Sequence, residues 1–214
     1  MTLAIHALHL GPLDNNTYLV VHEGTRETAV VDVGFGPEAV LETIARRKLV
    51  VRLLLNTHAH YDHVAGMRAI QQACGGDYYL HPADRPLLDH LAEQGAAFDF
   101  PPAEPPDDAH DLADRQSIAL AGEAIEVIHT PGHSPGGVCF RHGRWLISGD
   151  TLFAGSIGRT DLPGGSFEEL ERAIRERLFV LGDAVQVHPG HGPETTIGEE
   201  RMHNPFVGEN ARFA

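Results

Sequence analysis

Residues 57–63, with the sequence THAHYDH, place three imidazoles and one carboxylate within six consecutive positions. They follow the apolar run 50–55, which is typical of a strand buried on both faces. If the chain leaves this strand extended, His58 and His60 point to the same side, and Asp62 and His63 face a second point nearby. Imidazole and carboxylate suit zinc, iron or manganese. Residues 57–63 contain no cysteine, the residue that usually closes a structural zinc site. The segment therefore predicts an open, hydrolytic metal site.

Three later segments also place a metal-ligand type of residue in a turn rich in glycine or proline. These segments are 130–136 (TPGHSPG), 148–151 (SGDT) and 188–192 (HPGHG), and each comes directly after an apolar, β-branched run. Loops at the ends of strands are where a rigid scaffold usually presents its chemistry. We expect these loops to share the site with residues 57–63.

With these motifs in this order, the chain resembles the metallo-β-lactamase-fold hydrolases, and more closely their glyoxalase II-like branch. The resemblance runs from the strand before Gly11 to residues 204–206 (NPF). It implies an α/β fold built as a four-layer αββα sandwich, formed by residues 1–214 as a single domain. The metals are expected at one edge of the two sheets.

The resemblance also implies a complete ligand set for two divalent metal ions, most simply zinc, with iron or manganese as alternatives. His58, His60 and His133 would hold one ion, Asp62, His63 and His191 would hold the other, and Asp150 would bridge them. A water between two dications loses much of its proton affinity, so a metal-bridging hydroxide could attack a carbonyl near neutral pH. Asp62 and Asp150 are therefore the expected catalytic carboxylates.

The nearest branch, the hydroxyacylglutathione hydrolases, cleaves the thioester S-lactoylglutathione. Residues 153–159 (FAGSIGR) stand where those enzymes carry a glycine-rich loop with a basic residue that contacts glutathione. Arg159 is the candidate anchor for a small anionic thioester, and a structural pairing with Asp161 is the alternative. The printed sequence ends at Ala214, so we expect a short form lacking the helical C-terminal domain of the longer enzymes.

Several other functions are compatible with parts of the sequence. A persulfide dioxygenase resembles the chain, including the stretch 158–161 (GRTD), but it uses one iron, and the second ligand set ending in His191 argues against it. Hydrolysis of another ester or a lactone, and metal-dependent binding without turnover, are further alternatives. Hydrolysis of β-lactams is less favoured, because two-zinc β-lactamases generally carry cysteine where this chain has Asp150.

Composition limits the class of protein and its partners. The 214 residues are 42% hydrophobic, which suits one αβ domain or two small ones. No run is long enough to span a bilayer and the first ten residues do not resemble a secretory signal, so we expect a cytoplasmic protein without membrane contact.

The net charge of −14 opposes nucleic-acid binding, although two dications could still attract an anionic substrate. Cys74 and Cys139 are expected to be ordinary thiols, and no oligomeric state is predicted.

Hydrophobic periodicity gives a mixed order of elements without a simple βαβ repeat. Strands are expected at 3–10, 17–21, 28–33, 50–55, 78–81, 117–119, 124–129, 138–141, 145–147 and 185–187, and helices at 37–48, 64–73, 82–91 and 166–178. Residues 95–113 are expected to be a surface excursion that either shapes the mouth of the pocket or has no specific role. Asp32 either orients a metal ligand or forms a turn. The other histidines considered, His81, His90, His129 and His142, are not expected to bind metal.

Overall fold

The computed structural model describes residues 3–212 and contains two six-stranded sheets that pack face to face. In the first sheet the strands follow one another in chain order. β1, β2 and β3 are antiparallel, whereas β3, β4, β5 and β6 run parallel. These strands are β1 (Leu3–Leu10), β2 (Asn15–His22), β3 (Glu27–Val31), β4 (Val50–Leu55), β5 (Asp77–Leu80) and β6 (His110–Asp111).

The second sheet is antiparallel except where β10 and β13 run parallel, and its order is β14-β13-β10-β9-β8-β7. Its strands are β7 (Ser117–Leu120), β8 (Glu123–His129), β9 (Val138–His142), β10 (Trp145–Gly149), β13 (Gln186–Pro189) and β14 (Thr195–Thr196). A separate two-stranded ribbon consists of β11 (Leu152–Phe153) and β12 (Ser156–Ile157).

Helices cover the outer faces of both sheets. They are α1 (Pro37–Arg47), α2 (Tyr61–Val64), α3 (Met67–Cys74), α4 (Arg85–Asp89), α5 (Leu91–Ala96), α6 (Phe167–Ala173) and α7 (Ile197–His203). The Ser166 hydroxyl accepts the amide N–H of Glu169 and begins α6, as its sequence predicted. Within residues 3–212, no helix combines the length and apolar character needed to cross a bilayer.

Alternation along the central strands divides the apolar residues among three layers of core. In β2, Leu19 and Val21 pack toward the helices, whereas Tyr18 and Val20 pack between the sheets. A third cluster joins the outer face of the second sheet to α6 and α7 through residues such as Leu170 and Ile197. Because both faces of both sheets are buried, the fold is the four-layer αββα sandwich that the sequence predicted.

The strand predictions are confirmed with small shifts, but some helical predictions are wrong. The expected helix over 64–73 is interrupted between α2 and α3. The interruption lies at Gly66, whose N–H donates to the Val33 carbonyl (2.8 Å) where the two backbone segments approach closely. The expected helix over 82–91 becomes a 3₁₀ turn followed by α4 and α5, separated at His90.

The expected excursion over 95–113 is only partly irregular. Gly95 and Ala96 complete α5, residues 110–111 form the edge strand β6, and Leu112 is buried between the sheets. The β11–β12 ribbon and the β14–α7 unit were not predicted, because their strands are only two residues long and carry no readable alternation.

The loops that carry the candidate site leave the strands at one edge of the sandwich. The chain turns there after β3 at Asp32, after β4 at residues 56–60, and after β10 at Asp150. The two sheets are joined at this edge by backbone hydrogen bonds, from Val138 N–H to the Thr57 carbonyl (2.8 Å) and from Asn16 N–H to the Gly190 carbonyl (2.7 Å).

Candidate metal centre

Three buried histidines form the first group of ligand-type atoms. His133 Nε2 lies 2.9 Å from His60 Nδ1 and 3.2 Å from His58 Nε2. His58 and His60 do leave the end of β4 toward the same point, as the alternation predicted. Nitrogens bound to one tetrahedral zinc at about 2.0–2.1 Å are about 3.3 Å apart, so His133 Nε2 lies at nearly this spacing from both other nitrogens. All three atoms lie within 4.8 Å of one another.

The local environment keeps His58 and His60 neutral. Burial lowers the pKa of His58 well below its usual value, and the neighbouring imidazoles of His63 and His133 add to the effect. Burial and the adjacent His133 ring also lower the pKa of His60, to about 3. A neutral imidazole is the form that binds a metal ion, so these rings are prepared for ligation at neutral pH.

The second group consists of Asp62, His63 and His191. His191 Nε2 lies 3.2 Å from both Asp62 Oδ2 and His63 Nε2, and His63 Nε2 lies 3.5 Å from Asp62 Oδ2. Burial lowers the pKa of His191, but hydrogen bonds to Asp150 and Asp62 outweigh it and raise the pKa to about 10. The carboxylates of this group therefore stabilise the protonated form of the His191 imidazole.

Asp150 lies between the two groups. Its Oδ1 is 3.4 Å from His63 Nε2, and its Oδ2 is 3.6 Å from His133 Nε2 and 3.4 Å from His191 Nε2. Oδ1 is buried and has no hydrogen-bond partner among the described residues. A buried carboxylate oxygen without a partner is costly, and a cation between the two groups would satisfy it. The donor set and this oxygen together fit two divalent metal ions.

Asp32 lies behind the candidate site and contacts one ligand-type residue, His63, which corresponds to the first of the two roles that the sequence left open. It follows β3 in the left-handed conformation (φ 52°) and is buried. Its Oδ2 lies 3.0 Å from His63 Nδ1 and accepts the Thr57 hydroxyl (2.6 Å), and its Oδ1 accepts Thr57 N–H (2.8 Å) and the Asn56 amide (3.0 Å). Although Asp32 lies near His58 and His63, its oxygens are thus used in holding the loop.

Backbone carbonyls orient two further imidazoles. His133 Nδ1 lies 2.8 Å from the Arg159 carbonyl, and His191 Nδ1 lies 2.8 Å from the Leu13 carbonyl. Because a carbonyl can only accept, each Nδ1 carries the proton and leaves Nε2 facing the site. Asn15 fixes the carboxylate of Asp62 in the same way, by donating from Nδ2 to Oδ2 (3.0 Å).

Asp84 joins the two ligand loops of the first group, and sequence reasoning missed it. Its fully buried carboxylate accepts Ala59 N–H (3.0 Å) and the Ser134 hydroxyl (2.8 Å) on Oδ2, and Gly136 N–H (2.6 Å) on Oδ1. Asp84 stands in an ordinary helix-start sequence, HPADRP, so only its proximity to loops 25 and 50 residues away in the chain reveals this role.

The centre opens into a cavity of about 330 Å³. Arg159 lines this cavity and is also paired with Asp161 through two hydrogen bonds, Nε–Oδ1 at 2.7 Å and Nη2–Oδ2 at 2.8 Å. The position of Arg159 is therefore compatible both with contact to a substrate in the cavity and with a structural pairing with Asp161. The full lining consists of Leu13, His60, Tyr61, Asp62, Gln94, Phe98, Phe100, His133, Asp150, Arg159, Leu162 and His191.

The histidines not expected to bind metal lie outside both groups. His81 and His129 stack on each other with ring centroids 4.2 Å apart, and His142 bonds the Ala124 carbonyl through Nδ1. His90 Nδ1 bonds the Pro86 carbonyl. Cys74 and Cys139 are free thiols, as expected.

Comparison with known proteins identifies the family. Residues 10–193 match the family described as the metallo-beta-lactamase superfamily. The chain is 34% identical over 197 residues to the hydroxyacylglutathione hydrolase GloC of Haemophilus influenzae, covering 88% of this chain and 91% of that protein.

Two solved structures are similar over nearly their whole length. BLEG-1 B3 metallo-beta-lactamase has a TM-score of 0.88 at 35% identity, with 95% of this chain and 99% of that chain covered. TTHA1623 in a di-iron-bound form has a TM-score of 0.86 at 39% identity, with 94% and 100% covered. The chain therefore belongs to the metallo-beta-lactamase superfamily.

Proposed function

We propose that this protein is a metal-dependent thioester hydrolase with a two-ion site, acting on a small anionic thioester such as S-lactoylglutathione. The observation that carries the proposal is the position of Asp150. Its two carboxylate oxygens lie between two groups of ligand-type atoms, and Oδ1 accepts no hydrogen bond from the described residues. A structural metal site usually closes its coordination with cysteine, whereas this centre contains none and opens into a cavity.

His58, His60 and His133 would hold one ion, and Asp62, His63 and His191 the other, with Asp150 shared. Zinc fits this nitrogen and oxygen donor set, and iron or manganese would fit the same atoms. Two such ions would lower the pKa of water and polarise the substrate carbonyl.

The chain's own groups would then place the reacting atoms. Asp150 can accept the proton of the attacking water, because no hydrogen bond from the described residues occupies its Oδ1. The Asn15 amide holds Asp62 Oδ2 in a fixed orientation, so that this carboxylate is preorganised beside His191. Arg159 would meet a substrate carboxylate at the cavity, exchanging part of its pairing with Asp161.

The thioester assignment is supported by the relative named hydroxyacylglutathione hydrolase and by an arginine at the cavity. The test is hydrolysis of S-D-lactoylglutathione by zinc-loaded protein, followed through the loss of thioester absorbance, with a chelated sample beside it. We expect chelator-sensitive turnover with kcat/KM of roughly 10⁴ M⁻¹s⁻¹ or more. No thioester turnover by protein carrying two metals would remove this proposal.

Asp150→Ala should lower the rate by orders of magnitude while the fold is kept, and exposed Asp108→Ala is the matched control. Near-normal turnover by metal-loaded Asp150→Ala would reject the shared role of this carboxylate.

A second candidate function is hydrolysis of the β-lactam amide, which the 35% identity to a protein titled B3 metallo-beta-lactamase favours. The same two-ion chemistry would apply to a strained amide. Turnover of a chromogenic cephalosporin by the same preparation, at a kcat/KM above that of the thioester, would favour this candidate over the first.

A further inference from the structure

We propose that the cavity beside the metal centre recognises a large apolar acyl group, so that thioesters with an aromatic or branched acyl group are preferred to the lactoyl thioester. The inference rests on the proposed thioesterase function and adds the substrate class to it. If the carboxylate of the thiol is held at Arg159, the acyl group is left to the aromatic part of the lining.

One wall of the cavity is a preformed stack of aromatic rings. The rings of Tyr61 and Phe100 are stacked with centroids 5.4 Å apart and planes inclined by 15°, and Phe35 contacts Phe100 edge to face at 5.1 Å. The Tyr61 hydroxyl donates to the Pro101 carbonyl (2.6 Å), which fixes the ring against the chain after α5. Because Tyr61 lies between His60 and Asp62 in sequence, this wall begins directly at the metal centre.

The fit of the wall depends on a glycine. A Cβ on Gly95 would lie 2.5 Å from Tyr61 Cε2, so only glycine permits α5 to approach the ring this closely. The stack is therefore held in place by packing and by a hydrogen bond within the chain itself. Such a rigid surface binds an apolar group without a large cost in ordering.

The rim of the same cavity exposes apolar side chains to solvent. Phe98 is 58% exposed and its ring packs beside Phe100 at 6.2 Å, and Leu13, which also lines the cavity, is 47% exposed. Exposed large apolar side chains at a concave site mark a ligand-binding surface. An apolar group placed between them would remove this surface from water.

The charged side chains of the cavity also favour recognition of an apolar acyl group. In the described part of the chain, Arg159 is the only arginine or lysine lining the cavity, and Asp161 already pairs with it through two hydrogen bonds. A thiol with two carboxylates would thus find a positively charged arginine or lysine side chain for one of them at most. Affinity must then come from the apolar surface to a larger extent than in a site built around charge.

The experiment compares two thioesters that share one thiol and differ only at the acyl group, S-lactoylglutathione and S-mandeloylglutathione. Replacing the methyl group by a phenyl ring should raise kcat/KM roughly tenfold in the wild-type protein. In Phe98→Ala this preference should fall to about twofold, through loss of activity on the mandeloyl substrate. Val180→Ala, which removes an even more exposed apolar side chain outside the cavity, should keep the wild-type preference.

A binding measurement separates this inference from the proposed function. The two thioethers in which the carbonyl is replaced by methylene cannot be hydrolysed, and their affinities for the metal-loaded protein can be measured by calorimetry. Tighter binding of the phenyl analogue that is lost in Phe98→Ala would support the aromatic subsite even if no thioester were cleaved. Equal affinities of the two analogues, or a preference unchanged in Phe98→Ala, would overturn it.

Discussion

Replacing Asp32 by asparagine should weaken one metal group more than the other. The substitution keeps the size of the side chain, and asparagine tolerates the left-handed backbone (φ 52°). If the amide oxygen takes the place of Oδ1, it still accepts Thr57 N–H and the Asn56 amide. The amide NH₂ then takes the place of Oδ2, opposite His63 Nδ1 and the Thr57 hydroxyl.

The consequence for His63 follows from its tautomer. An NH₂ group can only donate, so His63 Nδ1 would become the acceptor and the ring proton would move to Nε2, the atom that faces the metal group. Partners of this kind typically contribute tenfold to hundredfold in metal affinity, equivalent to about 1.4–2.7 kcal/mol. The first group depends less on Asp32, because Asp32 has no hydrogen bond to His58 and is linked to it only through the Thr57 hydroxyl.

Chelator competition should therefore show one site of nearly normal affinity and one weakened by about tenfold to hundredfold. Asp108→Asn is the matched control, since Asp108 also has a positive φ (50°) but is exposed. Equal affinities at both sites in Asp32→Asn, with the thermal midpoint unchanged, would refute the reasoning about the His63 tautomer.

Three other outcomes follow from the geometry. Gly190→Ala should lower metal capacity and activity, because its Cβ would lie 2.2 Å from Asp150 Oδ1; two bound metals per chain would contradict this. Metal binding at pH 7.5 should release roughly one to two protons per ion at the second group, because the pKa of His191 is raised to about 10. Binding at the first group should release almost none, because the pKa of His60 is lowered to about 3. Calorimetry in buffers of different ionisation enthalpy measures this, and equal release at both groups would be the opposite result. Removing both metals should lower the thermal midpoint by roughly 10–20 °C relative to protein held at a hundredfold excess over Kd at each group, and an unchanged midpoint would argue against metal binding to the folded state.

The layers of the fold were expected from the resemblance to the family, whereas the grouping of the site residues was predicted for physical reasons that can be named. Strand alternation predicted that His58 and His60 point to one side, and both indeed approach His133. The Gly/Pro-rich turns predicted where the other loops leave the sheets, which placed Asp150 and His191 at the same edge.

What the sequence could not predict depends on contacts between distant segments. Nothing local to Asp84 indicates that it joins the loops of His60 and His133, and nothing local to Gly66 indicates that Val33 breaks the helix there. The aromatic wall was not specified for the same reason, since residues 95–113 read as a surface segment whose place at the pocket mouth was only one of two alternatives. Its Phe100 becomes a cavity residue only because it folds back on Tyr61.

The most direct test of the central claim is the thioester hydrolysis rate measured while zinc is added stepwise to metal-free protein, with bound metal determined at each step. The two groups around Asp150 predict that the rate reaches its maximum only near two equivalents per chain, and that Asp150→Ala binds metal without comparable turnover. A full rate at one equivalent, or no hydrolysis at two, would contradict a two-ion hydrolase.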